Sequence, residues 1–226
     1  MRERALLLDL VTELRGRLDE LEHLVRTAPN HSIISPVSYD EEGVVNLTPK
    51  EYLTFRSGGL DAVQRIKRYE PVPAFVQFGA PDLDTEVEIS AFDLSDLHRT
   101  GPEAAFGLRL APQSADTQKW FTYELLLNIQ NAPDYAWLEW VLKLSFDQPL
   151  QSFLQFIIEG DDFSERVDVG LTAISDFAEF KHVRLGRSTL LEASAGRVVK
   201  KIRLTLATGG RPLPMTIYGY SVFAKT

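Results

Sequence analysis

Bond-making chemistry needs a nucleophile beside a base, a cluster of metal ligands or a pair of facing carboxylates, and this sequence offers little of the first two. It has no cysteine and only four histidines, His23, His31, His98 and His182. None belongs to a G-x-S-x-G or H-E-x-x-H motif, and Gly58-Gly59 and Gly209-Gly210 lack the lysine or helix context of a phosphate-cradling loop. His98 follows Asp96 in SDLHRTGP, which reads as a loop. With 32 acidic residues, some pair of carboxylates will always meet the roughly 5–10 Å separation of a glycosidase, so acidity alone selects no catalytic residue. The expectation is a non-enzymatic chain with no catalytic residue, no metal and no cofactor.

Aromatic residues among polar neighbours give a better lead, because sugar rings and partner surfaces dock on exposed Trp and Tyr planes. In YAWLEWVLKLSF, two-residue alternation sends Leu138, Trp140, Leu142, Leu144 and Phe146 to the core and leaves Trp137 beside Glu139, Lys143 and Ser145. In KWFTYELLLNI the same rule buries Phe121, Tyr123, Leu125, Leu127 and Ile129 and turns Trp120, Thr122, Glu124 and Asn128 outward. In FKHVRL, the apolar Val183 and Leu185 turn His182 and Arg184 away from the core. If these strands are neighbours, Trp120, Trp137, His182 and Arg184, with Arg203 from KKIRLTL, form one candidate ligand surface. The competing reading is that helices of residues 1–68 cover that face and make both tryptophans ordinary packing. Arg166 and Asp168 read as a cross-strand pair.

The elements that must position these residues fall into three stretches: residues 1–30, 31–70 and 71–226. In the first, Leu7, Val11, Leu14, Leu18, Leu21 and Val25 recur at 4-3-4-3-4 spacing, the stripe of a helix that seeks a partner. Leu10 and Leu24 broaden it beyond a dimer seam, so it is either a dimeric or trimeric coiled coil or an amphipathic helix lying on its own domain. Pro29 and Asn30 stop it, and residues 31–70 read as a connector with short helices. Thr48-Pro49-Lys50-Glu51 is a helix start with a threonine cap, Gly58-Gly59 an end, and Leu60 to Arg68 a second short helix. Thereafter the period is two, with strands near 74–78, 85–92, 104–110, 119–129, 137–146, 152–159, 163–170, 178–185, 199–207 and 214–224. Ten strands with no long intervening helix predict a mainly β fold, an antiparallel jelly-roll sandwich.

Composition sets the remaining bounds. The chain has 226 residues, 44% hydrophobic and 25% charged, ordinary values for a packed domain. Its net charge of −8 and pI near 5.1 argue against a nucleic-acid surface. The start, MRERALLLDLVTEL, is interrupted by Glu3, Asp9 and Glu13 and does not read as a signal peptide. No stretch reaches the ~20 apolar residues that span a bilayer. The default expectation is therefore a cytoplasmic protein, with a virion or cell-surface location reached by a non-classical route as the alternative.

The closing segment, FKHVRLGRSTLLEASAGRVVKKIRLTLATGGRPLPMTIYGYSVFA, resembles the last strands of galactose-binding-like sandwiches, the discoidin-type and carbohydrate-binding jelly rolls. The resemblance is carried by His182-Val183-Arg184-Leu185, Ile202-Arg203-Leu204 and Ile217-Tyr218-Gly219-Tyr220. It implies the fold, and it would also allow a calcium site at Asp82 and Asp84 or at Asp161 and Asp162, although acidic pairs in turns are more often solvated. Together the stalk and the sandwich imply a homo-oligomeric binding module, an adhesin-like layout that recognises glycan or a protein surface with multivalent gain. An intracellular scaffold or accessory subunit of an envelope, polysaccharide or phage-like assembly, and a carbohydrate-active enzyme, are the alternatives.

Overall fold

The computed structural model describes residues 42–60, 62–94, 106–114, 116–130 and 132–226. The chain divides after Ser32, and every described residue belongs to the unit Ile33–Thr226. The amino-terminal stripe, together with His23, His31 and His98, lies outside the described residues.

Alternation of apolar and polar side chains builds two antiparallel sheets that bury their apolar faces against each other. One has five strands in the order β3 (Val76–Gly79), β6 (Thr122–Asn128), β11 (Lys201–Ala207), β8 (Leu150–Glu159) and β9 (Ser164–Ile174). The other runs β10 (Glu179–Gly186), β7 (Trp137–Phe146), β12 (Met215–Lys225), β5 (Phe106–Pro112), β4 (Glu86–Asp93) and β2 (Gln64–Lys67), with β1 (Val44–Asn46) paired to β12. From β6 onward the chain passes repeatedly between the sheets, the winding of a jelly roll. The expected mainly β sandwich is therefore what forms.

The faces fall as the two-residue period requires. Tyr123, Leu125 and Leu127 of β6 and Leu138, Trp140, Leu142, Leu144 and Phe146 of β7 are all in the core. Across the layers, the Trp140 ring meets Phe156 of β8 with centroids 4.9 Å apart.

Three expectations are corrected. Residues 31–70 are not a mere connector, because β1 pairs with β12 and β2 with β4. The short helix expected over Leu60 to Arg68 is replaced by β2, whose Ile66 is buried between exposed Arg65 and Lys67. Pairing with β4 outweighs the local helical preference of so short a segment. The helix after Thr48-Pro49, α1 (Lys50–Gly58), does form, but Thr48 does not cap it. Its hydroxyl instead accepts the Val222 N–H at 3.1 Å, while the Tyr52 hydroxyl accepts the Tyr220 N–H at 3.0 Å. Both bonds satisfy buried N–H groups of β12 and tie α1 to the sheet.

A second helix, α2 (Arg187–Ser194), links β10 to β11 and buries Leu190. The turn after β11 needs Gly210, with φ at +82°, because a Cβ there would stand 2.2 Å from the Gln118 carbonyl oxygen.

Candidate functional site: the outer face of the five-stranded sheet

Register fixes the outer face of the five-stranded sheet as a grid. Ala207 of β11 pairs with Thr122 and Phe153, and Phe153 with Leu171 of β9; Gly79 of β3 faces Thr122. With Trp120, which approaches Gly79, this makes an apolar row. One pleat further on, about 6.8 Å along the strands, Gln77, Glu124, Thr205, Gln155 and Asp168 form a polar row. Next come Leu126, Arg203, Ile157 and Arg166, and then Asn128, Lys201, Glu159 and Ser164. Members of these rows, from Trp120 and Phe153 to Glu159 and Lys201, line a groove of about 680 Å³ together with Tyr69.

The groove carries two exposed aromatic side chains. Trp120 is 38% exposed and Tyr69 46%, and neither belongs to the packed core. Tyr69 holds a φ of +60°, rare for a bulky side chain, in the turn after β2. Its N–H donates to the Phe78 carbonyl at 2.8 Å, and the Arg68 guanidinium lies 5.8 Å from its ring centre. Burial and the Glu124 carboxylate raise the Tyr69 phenol above the ordinary value, against the opposing pull of Arg68, Arg203 and Arg166.

At the centre, Arg203 bridges two carboxylates, donating from Nη1 to Glu124 at 2.7 Å and from Nη2 to Glu159 at 2.6 Å. Glu124, only 3% exposed, also accepts from Gln77 Nε2 at 2.6 Å and from the Thr122 hydroxyl at 3.3 Å. Glu159 is shared with Lys201 Nζ at 3.3 Å. Burial by itself would lower the Arg203 guanidinium, but the two carboxylates carry it above its ordinary range. Lys201, Glu159, Arg203 and Glu124 thereby form a line of alternating charges. Two floor atoms, Arg203 Nε and Thr205 Oγ1, are buried without a hydrogen-bond partner.

The sequence-derived candidate surface divides between the sheets. Trp120 and Arg203 both line the groove. Trp137, His182 and Arg184 lie on β7 and β10, on the outer face of the seven-stranded sheet, and do not join them. There the Arg184 guanidinium sits 4.5 Å from the Trp137 ring centre and 3.2 Å from Glu139, and His182 Nδ1 is 3.7 Å from the same carboxylate. Alternation gave each side chain its outward direction correctly; strand order, set by long-range pairing, separated them. Arg166 and Asp168 do not form the expected pair, since Asp168 accepts from Gln155 Nε2 at 2.9 Å.

Tyr69, Phe153, Gln155 and Glu124 complete the groove. Phe153 was hidden because FLQFIIE is apolar on both faces, and Tyr69 because its turn carries no periodic signal. At the acidic turns, Asp82 accepts the Asp84 N–H at 3.0 Å and Asp161 pairs with Lys200 at 2.6 Å. Among the described residues no three His, Cys, Asp or Glu side chains cluster as metal ligands. Among them too, no helix is long and apolar enough to cross a membrane.

Fold and site together define a jelly-roll β-sandwich with a groove across its five-stranded sheet. No protein-family model matches the sequence, and no curated protein is similar to it in sequence. Similar solved structures include the Stig cyclase Fisc from Fischerella sp. TAU, at 8% identity, covering 80% of this chain and 98% of that one with a TM-score of 0.48. They also include the family 11 carbohydrate-binding module of the cellulase Lic26A-Cel5E of Clostridium thermocellum, at 8% identity, 74% and 96% coverage and a TM-score of 0.40. A third is TmCBM61 in complex with β-1,4-galactotriose, at 11% identity, 80% and 99% coverage and a TM-score of 0.38. At these identities the likeness is one of architecture.

Proposed function

We propose that the chain is a non-catalytic glycan-binding module and that the groove on the five-stranded sheet holds the sugar. The observation that carries this reading is the adjacency of an apolar row containing the exposed Trp120 to a polar row one pleat away. A pyranose presents an apolar ring face and a rim of hydroxyls, and Trp120 beside Gln77, Glu124 and Gln155 matches both. Glu124 and Glu159 are engaged by Arg203, which suits them to orient hydroxyls rather than to pass protons. Trp137 has one ring face under Arg184 and is the poorer platform.

A glycan array with the parent protein, Trp120→Ala and Trp137→Ala tests this. Binding lost only in Trp120→Ala, with unchanged circular dichroism, supports the groove; no bound glycan for the parent, or equal binding by all three, overturns it. The amino-terminal stripe would add avidity by gathering several heads. Light scattering that finds a monomer across a wide concentration range refutes that part.

A further inference from the structure

Which sugars the groove selects follows from what its polar groups still lack, on the footing of the glycan-binding reading above. Each carboxylate on the face already accepts from a neighbour: Glu124 from Gln77 and Arg203, Glu159 from Arg203 and Lys201, and Asp168 from Gln155. The unspent groups are chiefly donors. Arg203 Nε has no acceptor, nor does the Thr205 hydroxyl, and Thr205 is 2% exposed. Arg166, two strands from Arg203 on the edge strand β9, is exposed and lines the same groove, and its guanidinium makes no ion pair or hydrogen bond with the described residues. Its cross-strand partner Ile157 cannot serve it, and the adjacent Glu165 is paired with Arg197.

An exposed guanidinium in the groove, unpaired among the described residues, calls for a ligand that brings negative charge and acceptors. We infer that the groove prefers acidic glycans, a uronate chain whose carboxylate is taken by Arg166 while a ring further along the chain rests on Trp120. The two parallel N–H bonds a guanidinium offers match the two coplanar oxygens of a carboxylate. Since the chain as a whole carries −8, the preference arises from this contact and not from a general attraction to anions.

The probes are an oligogalacturonate, its carboxyl-reduced neutral counterpart, and a sulfated form of the neutral chain, titrated calorimetrically into the parent protein and Arg166→Gln. The parent should bind the uronate about tenfold more tightly than the reduced chain. Arg166→Gln should lose that difference, its affinity for the uronate falling to that for the reduced chain. Equal affinities in the parent, or equal loss of both ligands in the variant, overturn the acidic preference and leave glycan binding standing. A sulfated chain bound as tightly as the uronate overturns the carboxylate assignment. Failure of the parent to bind any of the three, or any glycan on an array, removes both readings.

Discussion

Replacing Arg203 by methionine removes the cation that two groove carboxylates share. The side chain of Glu124 is 4% exposed and that of Arg203 14%, so this is a buried ion pair. Breaking such a pair by deleting one partner leaves an uncompensated charge in a low-dielectric site and costs about 3–5 kcal/mol. Glu124 would keep only the neutral donors Gln77 and Thr122, whereas Glu159 is more exposed and retains Lys201. Most of the cost therefore falls on Glu124.

At about 2–4 °C per kcal/mol for a domain of this size, Arg203→Met should melt roughly 6–20 °C lower. Glu124→Gln alone should cost less, because Arg203 keeps Glu159. The double variant Glu124→Gln with Arg203→Met should recover much of the loss, since a buried pair replaced on both sides is often close to neutral. Thermal and urea unfolding of the four proteins gives the coupling directly. A coupling below about 0.5 kcal/mol, or an Arg203→Met loss below about 1 kcal/mol, would refute the claim that this bridge holds the groove floor.

Other consequences are checked separately. A Cβ at Gly79 would stand 2.7 Å from Thr122 Oγ1 and 3.0 Å from Trp120 Cζ3, so Gly79→Ala should turn the Trp120 ring. Glycan affinity should fall several-fold while the melting temperature moves by only a few degrees, read by titration calorimetry and calorimetric unfolding. Burial raises the phenols of Tyr52, Tyr123 and Tyr220, so the folded state holds their protons above pH 10 where the unfolded chain releases them. Stability should consequently fall as pH rises past about 10, and absorbance at the phenolate band should show these three titrating only with unfolding. Three phenolates appearing while circular dichroism remains native would contradict their placement. Gly210→Ala meets both a positive φ and the Gln118 carbonyl; it should cost more than about 1 kcal/mol by denaturant melts.

By itself the sequence determined the class of fold and the direction of nearly every strand side chain. A period of two is written in residue types, and one buried face per sheet forces it, so β7 begins and ends where WLEWVLKLSF does and Trp120, Trp137, His182 and Arg184 all point away from the core. The elements it misread were short: β1 and β2 are three and four residues long and exist through pairing with β12 and β4. α2 escaped because RSTLLEAS is only eight residues and buries few of them.

Which outward residues share a surface was decided by tertiary structure alone. Strand neighbours come from contacts far apart in the chain, Arg203 meeting Glu124 across 79 positions and Glu159 across 44. No local pattern encodes those distances. The order β3, β6, β11, β8, β9 set Trp120 and Arg203 in one groove, brought in Tyr69 and Phe153, and sent Trp137, His182 and Arg184 to the opposite side of the sandwich. Side-chain direction is a property of the strand, and the site is a property of the pairing.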